Sequence, residues 1–253
     1  MTKASAADAA RKLAGAPVPT GDGAVRSSGG DAPAGSWLVF APLPTSDIMI
    51  AAAEAFTNQG YHGASVRDIA ELAGVTVPTL YYHHGNKQGL LVDLLNASMT
   101  DLVERSGWAV EQAGDDPLHR FVDAVDCTVR FMCHRQRIAR LDPEARYLDE
   151  ELRASYAGLR KRFEVQMLGL LEDGAAARIF DVEHPVDVNR ALLGAYQSIA
   201  IWYRTDGELT PGQIAHRHVA FSLDALRAGP EHRARGLRRV AARTDDEVPG
   251  QSS

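Results

Sequence analysis

Two cysteines, Cys127 and Cys133, are all that 253 residues hold. They stand six apart in a stretch of helical periodicity, where six steps of about 100° put them on different faces. They therefore read as small buried apolar residues and not as a disulfide. Long apolar runs are missing too, since none approaches the roughly 20 residues a membrane span requires. Lys3, Arg11 and Lys12 are followed by no apolar segment, so no secretory signal is read and a cytoplasmic location is expected. Positive charge is scarce: 27 Lys and Arg stand against 33 Asp and Glu, a formal net charge of -6. That excludes coating nucleic acid or membrane by bulk electrostatics, and any such contact has to be local. Paired carboxylates in an apolar setting, a nucleophile elbow, metal-ligand spacing and a phosphate loop are all absent. Asp142 and Glu144 sit together only in a short connection. Neither enzyme chemistry nor a cofactor or metal is expected.

What is present is helix after helix, with no convincing strand alternation and no internal repeat. Residues 1–44, rich in Ala, Gly, Pro and Ser, read as a disordered arm; within it Trp37, Leu38, Val39 and Phe40 either dock on the folded body, the reading favoured, or form a short recognition segment. Ile48, Ala52, Ala55 and Phe56 make the apolar stripe of a first helix that Gly60 stops. Ser65 and Asp68 form a capping pair for a second, which carries Val66, Ile69 and Leu72 or Ala73 inward and ends at Gly74. Thr76 can cap a third, very short helix. A long helix from Asn86 carries Leu90, Leu91, Leu94, Leu95, Met99 and Leu102 as far as "GDDP" at Gly114. Further helices start at Pro117 and near Leu152. Two closing helices, Val188 to Tyr203 and Gln213 to Arg227, follow, with Asp187 a cap for the first. From Gly229 the mixed charges of residues 229–253 read as a disordered tail.

Two helices joined by a tight glycine turn, the second short, have the geometry of a helix-turn-helix. That device sets the second helix N-terminus first into the DNA major groove, so it wants small polar side chains there and backbone anchors further on. "TVPTLYYHHGNK" has that order. Thr76 and Thr79 can approach base edges, and Val77 a thymine methyl. Pro78 stands in the first turn, where its missing N–H costs nothing. Leu80 reads as core; of the two tyrosines one packs and Tyr82 faces outward to a phosphate. Lys87, at the start of the next helix, adds a charge beside free backbone N–H groups. His83 is read as a solvent-side DNA contact and His84 as a half-buried packing residue; neighbouring histidines on a helix diverge, which disfavours a metal pair. Ser65 and Arg67 complete the candidate DNA contacts.

The run Gly60 to Leu95, "GYHGASVRDIAELAGVTVPTLYYHHGNKQGLLVDLL", closely resembles the N-terminal domain of the TetR family of transcriptional regulators. The glycine and aromatic before the second helix, "IAELAGV", "LYYH" and the Asn-Lys pair stand in the family order. The resemblance implies an all-α fold: an N-terminal three-helix helix-turn-helix DNA-binding domain, residues 45–92, and a C-terminal helical ligand-binding and dimerisation domain, residues 93–228. It further implies a ligand-responsive homodimeric transcriptional regulator, a repressor released from a palindromic double-stranded operator by a small-molecule effector. The alternative is an all-helical carrier or enzyme that retains a vestigial helix-turn-helix; an effector-activated activator and a constitutive dimer with no ligand stay open as a third. Position 84 is usually phenylalanine in this family, and His84 is expected to loosen the joint between helices three and four. Gly89 lowers helical propensity by about 1 kcal/mol relative to alanine. From Thr45 to Leu95 the positive residues are Arg67 and Lys87, against Asp47, Glu54, Asp68, Glu71 and Asp93, so 2 minus 5 leaves -3. Phosphate affinity then falls to Arg67, Lys87, hydroxyls, backbone N–H groups and the arm's Lys3, Arg11, Lys12 and Arg26.

"VNRALLGAYQSIAIWYR" carries two apolar stripes, one of Leu192, Ala195, Ile199 and Trp202 and one of Leu193, Tyr196, Ala200 and Tyr203. A helix apolar over so wide an arc is buried on more than one side. The second stripe, with Phe221 on the last helix, is assigned to the dimer interface. "WYRTDGELTPGQIA" resembles regulators of lipid and sterol breakdown, some of which respond to acyl-CoA thioesters, and implies an acyl-CoA or other lipid-derived effector. Polar groups within the middle helices that could meet it are Asp126, Arg130, His134, Tyr147, Tyr156, Arg160 and Gln197. Asp126 with Arg130 is also an ordinary i,i+4 surface pair.

Overall fold

The computed structural model describes residues 36–41, 43 and 45–244. Among these it contains ten α-helices and two short 3-10 turns, and no strand. Capping side chains set the helix starts. Ser46 accepts from the Met49 N–H to open α1, Asp47–Gly63, whose helical geometry breaks at Gly60, φ 74°. Glycine takes that left-handed conformation without the clash a Cβ would bring. Ser65 accepts from Asp68 to open α2, Val66–Leu72, in which Ala73 rather than Leu72 turns inward. Thr76 caps α3, Val77–His84, and Asn86 caps α4, Lys87–Gln112. At 26 residues α4 is about 39 Å long, and it runs unbroken from the N-terminal head into the body. The body adds α5, Pro117–His134, α6, Gln136–Ala139, the 3-10 turn Asp142–Tyr147 and α7, Glu150–Ala176. It closes with α8, Pro185–Trp202, and α9, Pro211–Ala225. His184, not Asp187, stands at the start of α8, and Asp187 lies in its first turn.

Two cores result. In the head Ile48, Ala52, Phe56, Ile69, Leu80, Leu90, Leu91 and Leu94 pack together, and Leu141, Leu148 and Tyr156 of the body close the same cluster. The body is built round α5: residues 121–133 are all buried, against α4, α7, α8 and α9. Cys127 and Cys133 are free thiols inside it.

The C-terminal end departs from the disordered reading where it is described. Pro230–Thr244 forms a tenth helix, α10, packed on α5 and α9, so the expected tail is structured through that span. Local apolar content does not reveal it, since Val240, the half-buried Leu237 and Gly236, pressed on Leu223 and Val122, are the few positions that reach the core. Ion pairs hold it as well. Arg239 makes two 2.7 Å bonds to Asp123, and Arg243 reaches Asp123 at 2.8 Å and Asp126 at 3.0 Å. At the other end Trp37 docks as expected, buried beside Ala109 and Cys127 with the Arg243 guanidinium 4.9 Å from its ring. Arg105 donates to the carbonyls of Trp37 and Val39, and Arg135 to that of Ala41. Phe40 stacks on His134 at 4.3 Å. The remainder of the arm, with Lys3, Arg11, Lys12 and Arg26, lies outside the described residues.

Candidate nucleic-acid interface

The head presents α3 as its exposed helix. Leu80, fully buried, fixes it to the core from below. Above, Thr76 and Thr79 bring their hydroxyls within 2.8 Å while Thr76 also accepts from the Thr79 N–H, so the N-terminal turn is held in shape. Thr76, Tyr82 and His83 face solvent, Val77 and Thr79 are half-buried, and Tyr82 is 85% exposed. Tyr81 is exposed as well, so neither tyrosine packs inward as the sequence suggested. Tyr82 and His83 meet edge to face, ring centroids 5.2 Å apart. Ser65 and Arg67, both exposed, flank this row at the start of α2, with the Ser65 hydroxyl engaged in its cap.

Lys87 is tied down. Its ammonium donates to the His62 carbonyl at 3.3 Å and lies 4.6 Å from the centre of the Tyr61 ring, a cation–π distance. Burial pushes its pKa below the ordinary lysine value, as it disfavours the charged form. Two of its three donors remain for another acceptor. Tyr61 in turn stacks on Tyr147, and His62 meets the same ring edge-on at 4.2 Å. Burial first, and the Glu144 charge second, raise the Tyr61 phenol. Tyr147 therefore sits at the joint between head and body, with the Arg146 guanidinium 4.7 Å from its ring centre.

At position 84, where loosening was expected, a bond spans the joint: His84 Nδ1 lies 2.6 Å from Asp93 Oδ2 on α4. The reading of Gly89 changes likewise. A Cβ there would fall 1.9 Å from the His84 carbonyl oxygen, so the glycine admits a close approach of α4 to the end of α3.

The seven polar residues proposed to meet an effector are spread through the body. Asp126 and Arg130, 2.6 Å apart, are buried and not a surface pair, because α5 is covered on every side and Arg243 adds a second cation to Asp126. His134 is exposed and stacked on Phe40. Tyr156 is buried and donates to Asp142, and burial followed by that carboxylate raises its phenol far above the usual range. Arg160 lies 3.6 Å from the same carboxylate, on the surface. Gln197 donates to the Ala139 carbonyl at 3.1 Å. Asp123, Arg239 and Arg243 were missed. Asp123 precedes Asp126 by one turn, and the two arginines stand four apart in the basic tail, which was the signal available.

The assigned dimer stripe is corrected too. Tyr196, Ala200 and Tyr203 are buried within their own subunit; the Tyr196 hydroxyl lies 2.7 Å from Ser222 Oγ, and burial raises its pKa. Helix α8 packs against α5, α6 and α7 of its own subunit. Leu193 is half-buried, and Phe221 is 53% exposed. The apolar side chains left outward on α8 are Val186, Ile201, 70% exposed, and Trp202.

Two family models match the chain. "Bacterial regulatory proteins, tetR family" covers residues 48–94, and "Tetracyclin repressor-like, C-terminal domain" covers residues 114–226. Similar curated proteins include the HTH-type transcriptional repressor KstR2 of Rhodococcus jostii, 25% identical over 189 residues, 72% of this chain and 90% of that one. The HTH-type transcriptional activator FasR of Mycolicibacterium smegmatis is 34% identical over 103 residues, 41% of this chain and 47% of that one. Among solved structures, the TetR family regulator PfmR from Thermus thermophilus aligns at 25% identity and TM-score 0.64, over 72% of this chain and 97% of that one. AibR, solved with isovaleryl coenzyme A and operator DNA, aligns at 25% identity and TM-score 0.61, over 69% and 95%. Trp37–Ala41 and α10 lie outside both matched ranges.

Proposed function

This chain belongs to the TetR family of bacterial regulatory proteins, and on that premise we propose that it is a cytoplasmic homodimeric repressor released from a palindromic operator by a lipid-derived effector. The observation that carries the reading is the row Thr76, Thr79, Tyr82 and His83 on one short helix anchored by Leu80. Set into a major groove, Thr76 and Thr79 reach base edges, Val77 a thymine methyl, and Tyr82, His83, Lys87, Ser65 and Arg67 the phosphates on either side. With a charge of 2 minus 5, or -3, over residues 45–95, affinity rests on these few contacts and falls with added salt.

Residues 45–92 act as the reading head and 93–228 as the effector and dimer body. Ile201, Trp202 and Phe221 supply the apolar surface for a two-fold contact with a second copy. The effector class, an acyl-CoA or related compound, is supported by the likeness to AibR bound to isovaleryl coenzyme A and to the repressor KstR2. An effector that binds one body conformation more tightly shifts the spacing of the two heads and so releases DNA. The likeness to the activator FasR makes activation the second reading.

Footprinting of the DNA upstream of its own gene at low salt, with and without isovaleryl coenzyme A, tests this. A protected palindrome that is lost on adding the thioester is the expected result. Protection that is absent in both lanes refutes the regulator reading, and protection unchanged by a series of acyl-CoA thioesters refutes the effector class.

A further inference from the structure

Resting on the DNA-reading role of α3, we infer that His84 is the residue that sets the angle of this helix, by holding Asp93 of α4. The chain leaves α3 through Gly85, at φ 69° and ψ -60°, and Asn86 then donates its N–H to the His84 carbonyl at 2.7 Å. The Asn86 side chain caps the next helix at the Gly89 N–H, 2.9 Å away. Because residue 89 has no Cβ, the first turn of α4 comes directly against the His84 carbonyl. That is one point of attachment to α4; with the buried Leu80, one turn back, it forms a hinge about which α3 can still tilt.

The second is the side chain. The His84 imidazole, 10% exposed, places Nδ1 2.6 Å from Asp93 Oδ2. A carboxylate is an acceptor only, so the ring donates and the bond is charge-assisted. Gly89 and Asp93 are four residues apart on α4, about 6 Å along its axis. Two contacts so separated fix an orientation where one fixes only a position.

The consequence falls on the far end of the helix. Eight residues make α3 about 12 Å long, so a tilt of about 10° at His84 carries Thr76 through about 2 Å. Hydrogen bonds to base edges do not survive such a shift, whereas contacts of mobile side chains to phosphates largely do. His84 is therefore a positioning residue: it touches no base, yet discrimination between sequences depends on it.

The test uses the full chain and a duplex enriched by the wild-type protein from a random-sequence library, with an unrelated duplex as the non-specific control. His84→Phe, which keeps a ring but no donor, is expected to lower the specific-to-non-specific affinity ratio about tenfold while leaving non-specific binding unchanged. Asp93→Leu should do the same, and the double variant should be no worse than either single one, since both remove a single bond. His84→Asn, which keeps an N–H where Nδ1 stands, should restore most of the ratio. In the free wild-type protein the His84 ring N–H proton should resonate far downfield, and Asp93→Leu should abolish that signal. Thermal unfolding followed in parallel shows that the variants fold. An unchanged ratio in folded His84→Phe and Asp93→Leu overturns the inference and leaves the DNA-reading role intact. A library from which the wild-type protein enriches no sequence overturns that role and the inference with it.

Discussion

At position 89 the smallest side chain other than hydrogen would collide with the carbonyl oxygen of residue 84. Helix propensity alone says that Gly89→Ala should stabilise α4 by about 1 kcal/mol. The contact reverses the sign, and the substitution is expected to destabilise the head by about 1–3 kcal/mol, as overpacking does, read from the urea unfolding midpoint. Leu80→Ala should cost about 2–5 kcal/mol by the same measurement, because a fully buried leucine beneath α3 leaves a cavity. Lys87→Ala is expected to weaken binding to every DNA sequence alike and to reduce the slope of log affinity against log salt by about one. The threonines, the outward Tyr82 and the Leu80 anchor were legible from spacing, because a helix-turn-helix dictates them locally. His84 was not, since its meaning depends on Asp93, nine residues on and across a turn, and a list of residue types holds no such pairing.

At the scale of the element, α10 has the least to recommend it in sequence and a large share of the buried charge in structure. Its arginines meet Asp123 and Asp126, whose side chains are 1% and 0% exposed. Removing a cation from a buried pair leaves an uncompensated carboxylate, so Arg239→Ala with Arg243→Ala should cost about 3–5 kcal/mol in urea unfolding. The head's helices were readable because Ser46, Ser65, Thr76 and Asn86 cap them within the same few residues. Helix α10 was not, because its partners lie more than a hundred residues away in the chain. Helix α5 carries a pH-dependent start. Burial raises the Asp116 carboxyl, but bonds from the His119 and Leu118 N–H groups and the charges of His119 and Arg235 outweigh it and hold its pKa below the ordinary carboxylate value. A depressed carboxylate contributes stability that is present above its unfolded pKa and lost as pH falls through the folded one. Asp116→Ala should therefore cost about 1 kcal/mol at neutral pH, as a lost cap does, and its difference from wild type should shrink in acid titrated by thermal unfolding.

For the whole molecule the proposed dimer turns on which surface would meet a second copy. Two apolar stripes on α8 announced burial on two sides, but a stripe carries no mark saying which neighbour covers it. Leu192 and Ile199 of one and Tyr196, Ala200 and Tyr203 of the other are buried in the subunit's own core, while Trp202 of the first stripe stays outside with Val186, Ile201 and Phe221. Trp202→Glu with Phe221→Glu is expected to give a monomer in sedimentation velocity, and with it the loss of tight operator binding.

The most direct measurement is the base preference of the wild-type protein and of Thr79→Ala, each selected from the same random duplex library. Wild type should enrich a palindrome of two half-sites, and Thr79→Ala should relax the preference at matching base pairs in both halves. Enrichment of no palindrome, or a preference that Thr79→Ala leaves untouched, would contradict a two-fold regulator that reads DNA through α3.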